Sequence, residues 1–316
     1  MRVAVYGSLA YDRILNFRGL FSEHIIPDKT HQLNVSFFAP DMKESYGGTA
    51  GNVAYSLSLL GAEPIILARA GNDFEPYRAW LEKSGVNTGM IETDDRVRTA
   101  FATILTDRKD NQIAAFYPGA AGTPYGGLKH GALDGVSLAI IGPGNPDDMR
   151  RLPGYLRAGK IPFIYDPSQQ IPVLSGDDLK DGIAGARALM TNDYELALIM
   201  QKTGWSERDM LKETDLLVTT LGEEGSTIQT RDESLAIPPG KPKKIEDPTG
   251  AGDAYRAGFM FGLLRRWPLS AVGRFAGIIA CYTVEEHGTQ THTFTLDDVQ
   301  SRYRNNFNED LPASKQ

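Results

Sequence analysis

The stretch Asp247-Pro-Thr-Gly-Ala-Gly-Asp253-Ala-Tyr-Arg-Ala-Gly258 carries most of what this sequence reveals about its fold. Small residues lead into an apolar helical pattern, so unpaired backbone N–H groups and the positive end of the helix dipole form an anion site. We expect the amides of Gly250, Ala251 and Gly252 to hold a transferring phosphoryl group. Asp253 would then accept the proton of an attacking hydroxyl. The alternative is that Asp253 is only a favoured helix N-cap.

Short apolar runs alternate with helix-period segments along the rest of the chain, which is typical of a mostly parallel sheet covered by helices. The predicted strands are residues 2–7, 64–70, 138–142, 162–166, 188–192 and 216–220. Several of them end in Gly, Asp, Asn or Thr, which suits the ligand-facing carboxyl ends of parallel strands. Helices are predicted over about 252–266, stopped by Pro268, and over 53–60, closed by Gly61.

Two regions interrupt this alternation. Residues from about 13 to 40 and from about 98 to 117 are rich in alternating and β-branched residues, as in 33–37 and 101–105. They predict hairpin strands that form a small discontinuous β lid over a pocket, or else plain edge strands. An exposed lid sheet can also serve as the surface of a homodimer.

Composition limits the classes of partner. The chain has 316 residues and a formal net charge of −7, which argues against nucleic acid or an anionic membrane surface as the main partner. A single cysteine, Cys281, rules out an internal disulfide, and we expect it to be a small core residue on a helix. No signal peptide and no apolar run of about 18 residues is present. We expect a cytoplasmic protein.

A second motif, Tyr46-Gly-Gly-Thr-Ala-Gly-Asn52-Val-Ala, lies near the amino terminus. Together with 247–258, it resembles the two signatures of the PfkB carbohydrate kinase family, and the resemblance covers essentially the whole chain. It implies one ribokinase-like α/β domain over 1–316: a three-layer α/β/α sandwich with a mostly parallel central sheet and a small β-sheet lid. It also implies transfer of the ATP γ-phosphate to a primary alcohol, with Mg²⁺ as cofactor.

The resemblance assigns substrate contacts to three residues near the amino terminus. Asp12, just past the first strand, matches the aspartate that grips adjacent substrate hydroxyls, since a carboxylate accepts two hydroxyl hydrogen bonds well. Its alternative is a turn aspartate. Gly48 and Asn52 match further sugar contacts, although Asn52 could equally cap a helix.

Nucleotide and Mg²⁺ contacts are implied further along the chain. Asn192-Asp-Tyr-Glu195 resembles the family's N-x-x-E motif, in which the glutamate holds Mg²⁺ through water. A helix capping box has the same pattern. Thr220, Gly222 and Gly225 belong to a turn that resembles the one lying along the nucleotide.

The resemblance also suggests a monovalent cation and contains one departure. Asp247 and Thr249 match positions that offer oxygens to K⁺ in relatives, so K⁺ stimulation is expected. Relatives often place Asn in the helix that lines the adenine pocket, where this sequence has Gly277. Individual adenine contacts are therefore not carried over.

Competing phosphate motifs are incomplete. Residues 154–161 have the glycine and lysine spacing of a Walker A loop, but Ile161 replaces the Ser or Thr that binds Mg²⁺ and a strand follows instead of a helix. No G-x-G-x-x-G follows the first strand, which argues against a nicotinamide enzyme. The histidines show no metal-ligand spacing.

Four short sequence segments indicate which class of acceptor to expect. Residues 25–37, 110–119, 166–170 and 287–290 resemble nucleoside kinases of the family. Lid aromatics could stack on a base; those considered are Phe37, Phe101 and Phe116. Phe116 and Gln170 are the predicted substrate contacts from these strings. The expected function is an adenosine kinase-like nucleoside kinase; the alternatives are a sugar kinase of the ribokinase or fructokinase type and a non-catalytic ligand-binding regulator.

Overall fold

The computed structural model describes residues 1–26, 28, 33–109, 111–129 and 131–313. The strands are β1 Arg2–Tyr6, β2 Ala10–Asn16, β3 Asp41–Gly47, β4 Glu63–Gly71, β5 Ile91–Asp94, β6 Ala100–Thr106, β7 Gln112–Tyr117, β8 Leu138–Ile141, β9 Phe163–Tyr165, β10 Ala188–Asn192, β11 Leu217–Thr220, β12 Ser226–Gln229 and β13 Ser234–Ile237. The helices are α1 Thr49–Leu59, α2 Glu75–Lys83, α3 Pro146–Ala158, α4 Gly176–Ile183, α5 Asp193–Thr203, α6 Glu207–Glu213, α7 Ala251–Leu264, α8 Leu269–Val284 and α9 Leu296–Phe307.

The larger sheet of the described residues has nine strands in the order β13-β12-β11-β10-β9-β8-β1-β4-β5. From β11 to β5 every neighbouring pair is parallel, and only β12 and β13 join antiparallel at one edge. The parallel strands are apolar on both faces because helices cover both sides. In β1, for example, Val3 and Val5 point into one core and Ala4 and Tyr6 into the other.

Two helical layers enclose this sheet. Buried residues of α1, α2, α7, α8 and α9 belong to one core, and those of α3, α4, α5 and α6 belong to the other. This is the α/β/α sandwich predicted from the sequence. Among the helices of the described residues, none combines the length and the apolar character needed to cross a membrane.

The predicted strands of the central sheet are confirmed to within two residues at each end. The short strands β5, β12 and β13, towards the two ends of the sheet, were not predicted, because four residues carry little periodicity. The helix predicted over about 252–266 is α7, and Cys281 is buried on α8, as expected. The Walker-like glycine Gly154 lies inside α3, and β9 follows it, so these residues form no phosphate loop.

A second sheet of four strands has the order β3-β2-β6-β7. The predicted hairpin within 98–117 is confirmed as β6 and β7, which pair antiparallel. The first predicted region is partly wrong: β2 pairs with β3 at 41–47, whereas 33–40 has no regular structure. Phe37 packs its ring against Phe17 and Phe21 instead of alternating in a ladder. Residues 27, 29–32 and 110 of the predicted lid lie outside the described residues.

Candidate active site

The glycine-rich turn before α7 forms the predicted anion site. Gly250 is the N-cap of α7 with φ +81°, and a Cβ there would lie 2.9 Å from Thr289 Cγ2, so the position requires glycine. The Ala251 amide donates a hydrogen bond to the carbonyl of Pro248 over 3.2 Å. The amides of Gly252 and Asp253 lie in the first turn, where the helix offers no internal acceptor. This turn can therefore bind an anion, and the Ala251 amide is the one already engaged by a protein acceptor.

Asp253 lies in that first turn and is held by α1. Asn52, which is 5% exposed, donates from Nδ2 to Asp253 Oδ2 over 2.8 Å. Burial raises the pKa of Asp253 to about 6, against the opposing effects of Arg256 and Asn52. A carboxyl group with a pKa this close to neutrality is well suited to accept a proton.

A buried network of polar side chains holds Asn52 in position. Its Oδ1 accepts from Gln290 Nε2 at 3.0 Å, and Gln290 Nε2 also contacts the hydroxyl of Tyr77. Tyr77 in turn donates to the carbonyl of Gly47 at 2.9 Å. Gln290 ends one of the strings singled out in the sequence, but Tyr77 carried no sequence signal because its partners are far away in the chain. The network links α1, α2 and the segment before α9.

Asp12 lies on β2, where the small sheet meets the central one. A Cβ at Gly47, in the paired strand β3, would lie 2.3 Å from Asp12 Oδ2, so glycine leaves room for this carboxylate. Burial and the charge of Asp247 raise the pKa of Asp12 to about 6, and its charge also raises the pKa of Asp253. The two carboxylates are therefore close enough to act on each other electrostatically. Gly48 has φ +87° and begins α1, where a Cβ would meet the carbonyl of Ser8 at 2.6 Å.

One row of the small sheet combines Asp12 with a predicted aromatic contact. Asp12 is in register with Ser45 on β3 and Ala102 on β6, and Ala102 is in register with Phe116 on β7. Residues paired in this way share a face. Phe116 is 60% exposed, so its ring is free on the face that bears Asp12.

The other predicted aromatic contacts lie elsewhere. Phe101 is in register with Tyr11, one residue out of step with Asp12, and so lies on the opposite face. There the Arg13 guanidinium carbon sits 4.4 Å from the ring centroid of Phe101. Phe37 packs against Phe17, as described above. Phe101 therefore does not share the face of Asp12, and the expectation that Phe37 and Phe101 enclose a base stays a prediction.

A buried ion pair adjoins the anion site. Asp166, at the end of β9, is 0% exposed and accepts hydrogen bonds from Nε and Nη2 of Arg256 on α7. Burial raises the pKa of Asp166, and Arg256 opposes the rise. Both residues lie in strings quoted from the sequence, but nothing local assigned them a role.

The N-x-x-E motif begins α5 and forms a capping box. Asn192 Oδ1 accepts from the Glu195 amide at 2.7 Å, and Glu195 Oε2 accepts from the Asn192 amide at 2.8 Å. Glu195 Oε1 accepts from the hydroxyl of Ser168 at 2.8 Å, and Ser168 has a strained φ of +36°. Gln170, half-buried, closes the same short turn, and no role for it follows from its contacts. The capping function is thus present, and a water-mediated metal contact remains compatible with it.

A cavity of about 550 Å³ extends from α7 to the edge of the central sheet. It is lined by the predicted nucleotide residues Thr220, Gly222 and Gly225, and by Ala251 and Gly252 of the anion site. A Cβ at Gly225, with φ +95°, would lie 2.2 Å from the carbonyl of Ile237. The cavity is large enough for a nucleoside moiety, and it ends at the anion site.

Gly277 lies in the wall of this cavity, on α8. A Cβ at Gly240, in the segment after β13, would be 2.7 Å from both the Gly277 carbonyl and Cys281 Sγ. The two glycine backbones are thus closely packed. The absence of the side chain that relatives often carry at 277 lets this segment lie against the helix, and the wall there is apolar.

The predicted K⁺ residues lie at the edge of the site. Asp247 Oδ1 accepts from the Thr249 amide at 2.9 Å, and Oδ2 accepts from the Gly288 amide at 3.1 Å. Burial alone would raise the pKa of Asp247, but these hydrogen bonds hold it below its ordinary value. Within the described ranges, no group of three or more His, Cys, Asp and Glu side chains is arranged to hold a metal ion. A cation would therefore need oxygens from other groups.

The chain matches the pfkB family carbohydrate kinases over residues 2–295. A nucleoside kinase of Methanothermobacter thermautotrophicus is 33% identical over 309 residues, covering 94% of each chain. One of Methanocaldococcus jannaschii is 30% identical over 303 residues, covering 95% of this chain and 96% of that protein. The structure of a Burkholderia thailandensis nucleoside kinase in complex with ADP-inosine superposes with a TM-score of 0.86 at 35% identity, covering 99% of this chain and 98% of that one.

Proposed function

This chain belongs to the pfkB family of carbohydrate kinases and is an ATP-dependent kinase with a hydroxyl acceptor, and we propose that the acceptor is the 5′-hydroxyl of a nucleoside. The observation that carries the proposal is the row Asp12–Ala102–Phe116 across the small sheet. Adjacent strands lie about 4.8 Å apart, so the two functional positions are roughly 10 Å apart. That spacing fits a ribose diol at one end and a base at the other. The similar kinases named for nucleosides support the same acceptor class.

The proposed mechanism places each group by its chemistry. Asp12 accepts hydrogen bonds from the ribose 2′- and 3′-hydroxyls, with Gly48 leaving space for the sugar. Asn52 already uses one N–H to orient Asp253, and its second N–H is available to a ribose hydroxyl. Phe116 stacks on the base, and Gln170 borders the acceptor side.

Transfer then needs a base and an anion site. Asp253 accepts the proton of the 5′-hydroxyl while that oxygen forms a bond to the γ-phosphorus, and the bond from phosphorus to the bridging oxygen of ADP breaks. The amides of Gly250, Ala251 and Gly252 are the proposed site of the transferring group, and of these the Ala251 amide already donates to the Pro248 carbonyl. The nucleotide lies along Thr220, Gly222 and Gly225 in the adjoining cavity.

We place the two cations from the oxygen atoms that the residues offer as ligands. Glu195, backed by Asn192, fits Mg²⁺ bound through water, because Mg²⁺ keeps several waters and takes few carboxylates. Bound there, Mg²⁺ would neutralise charge on the ATP phosphates. Asp247 and Thr249 are the proposed oxygens of a K⁺ site, and replacing K⁺ by a larger organic cation should then lower activity.

We also propose that the small sheet acts as a lid. Its row of Asp12 and Phe116 would close on the acceptor and exclude water, which suppresses hydrolysis of ATP. A non-catalytic binding role is disfavoured because Asp253, the glycine turn and Glu195 are all in place.

The experiment is to incubate the purified protein with inosine, ATP and Mg²⁺ and to identify the product by ³¹P NMR. Inosine 5′-monophosphate with stoichiometric ADP supports the proposal. Phosphorylation of ribose or fructose but not of inosine would indicate a sugar kinase. Binding of inosine without transfer to any acceptor would indicate a regulator.

A further inference from the structure

Arg256 lies one helical turn beyond Asp253, on the same side of α7. It is 9% exposed, and its Nη2 donates to Asp166 Oδ1 over 2.9 Å while its Nε donates to the other carboxylate oxygen. Burial lowers the pKa of Arg256, but the charges of Asp166 and Asp253 outweigh burial and hold this pKa above its ordinary value. The guanidinium is therefore a permanent positive charge inside the candidate active site.

The third nitrogen of this guanidinium points at the anion site. Among the described residues, Nη1 of Arg256 has no protein hydrogen-bond partner, in contrast to Nε and Nη2. A Cβ at Gly252 would lie only 2.6 Å from Nη1. Nη1 thus lies against Gly252 in the first turn of α7, and glycine makes room for it. Nη1 is not among the fully buried nitrogens of the described residues that lack a partner, so it is accessible from solvent and can donate to an arriving anion.

Several carboxylates surround the anion site, and a phosphate can bind there only if a cation offsets their charge. Asp253 and Asp166 both approach the place where the phosphoryl group would arrive, and the charge of Asp166 raises the pKa of Asp253. Glu195 adds a third carboxylate whose charge also acts on Asp166. An anionic phosphate would be repelled by these groups. The charge of Arg256 lowers the pKa of Asp253 and so opposes the rise caused by burial. Among the described residues that act on this pKa, Arg256 is the cation.

We propose that Arg256 is a catalytic residue whose Nη1 donates a hydrogen bond to a non-bridging oxygen of the transferred phosphoryl group, while Nε and Nη2 stay on Asp166. The proposal rests on the proposed phosphotransfer. As the acceptor oxygen bonds to phosphorus and ADP departs with the electrons of the broken bond, charge spreads over the non-bridging oxygens. Arg256 stabilises that charge and loses no proton. Asp166 keeps the guanidinium in place, so it is a positioning residue.

The alternative is that Arg256 only neutralises Asp166. Arg256→Lys separates the two roles, because a lysine ammonium can satisfy the buried carboxylate but cannot reach Asp166 and the anion site at once. A structural role would alter stability, or weaken all ligands alike. A catalytic role would act on the planar transition state and leave the ground-state ligands alone.

The test compares three affinities by calorimetry in wild type and Arg256→Lys: acceptor alone, MgADP with acceptor, and MgADP with acceptor and aluminium fluoride. Aluminium fluoride is a planar anion that stands in for the transferred phosphoryl group. We expect unchanged affinity for acceptor and MgADP, loss of the extra affinity given by aluminium fluoride, and a kcat lower by on the order of 10². Arg302→Lys, in the buried pair with Glu285, is the matched control and should keep the fluoride effect.

An Arg256→Lys protein that keeps the fluoride effect, or that weakens all three affinities equally, would overturn the proposal. If Arg256→Lys does not fold, Arg256→Gln combined with Asp166→Asn removes both buried charges, and the same affinities are measured on it. The acceptor is whichever alcohol the wild type phosphorylates. A wrong choice of nucleoside therefore does not affect the outcome for Arg256.

Discussion

Two aspartates that lie far apart in the chain share one electrostatic property, a raised pKa. Burial raises the pKa of both Asp12 and Asp253 to about 6, and the charge of Asp12 adds to the shift at Asp253. Asn52 holds Asp253 at 2.8 Å and opposes the rise. A base must be ionised and yet basic enough to take a proton, and this balance of burial against hydrogen bonding suits Asp253 to the role we propose for it.

Asp253→Asn removes the base but keeps the shape and the acceptor for Asn52. We expect kcat to fall by a factor on the order of 10² or more while the dissociation constant for the acceptor stays unchanged. Steady-state kinetics and calorimetry check this. Asp297→Asn, the same change in the first turn of α9, is the control and should have normal turnover. Normal turnover of Asp253→Asn would remove the base assignment.

The raised pKa of Asp253 also predicts an acid limb. The base works only when ionised, so kcat/KM for the acceptor, which reports groups of the free enzyme, should fall as the pH drops through about 6. Protonation of Asp12 should add to this fall, because its carboxyl then accepts fewer hydrogen bonds. In Asp12→Asn the contribution of Asp253 to the acid limb of kcat/KM should persist. A kcat/KM that is constant between pH 8 and pH 5 would contradict the assignment.

At the scale of elements, the small sheet is the proposed acceptor side of the site. Its strands alternate faces, so β2 directs Asp12 to the cleft and Tyr11 away from it, where the Tyr11 hydroxyl donates to the Asp73 carbonyl. Glycine at the end of β3 leaves room for the carboxylate. The sheet therefore supports Asp12, and under the proposed function we expect it to carry the base of the nucleoside as well.

The two faces of β7 can be separated by mutation. Phe116→Ala should raise KM for inosine on the order of tenfold, the usual effect of losing a stacked aromatic, and leave KM for ribose unchanged. Ile113→Ala is the control, since Ile113 is exposed on the opposite face of the same strand. Both constants are read from initial rates. An equal effect of the two substitutions on inosine would show that Phe116 does not contact the base.

At the scale of the whole molecule, the sequence predicts those features that neighbouring residues determine, and it does not predict contacts between residues that are far apart in the chain. Buried parallel strands such as β1 and β8 are apolar runs, and the turn at Gly250 combines small residues with a helix start, so both could be read in the sequence. The Asp166–Arg256 pair spans 90 residues and the Gln290–Tyr77 contact spans 213, and no local pattern encodes such pairings. The register that divides Phe116 from Phe101 also depends on strand pairing.

The exposed sheet leads to a prediction of oligomeric state. Apolar side chains at Met42, Ile113 and Tyr117 are exposed on β3 and β7, which suits pairing with a second copy of the chain. Light scattering should then give the mass of a dimer of 34.6 kDa chains. The mass of one chain at micromolar concentration would contradict it.

The acceptor is tested most directly by kcat/KM with ATP and Mg²⁺ for inosine, adenosine and guanosine beside ribose and fructose. We expect the best nucleoside to exceed both sugars by more than about 100-fold, equivalent to roughly 2.7 kcal/mol of transition-state stabilisation from the base. Ribose or fructose ranking above every nucleoside would contradict the proposed function, and would leave the family, the fold and the Asp253 chemistry attached to a sugar kinase.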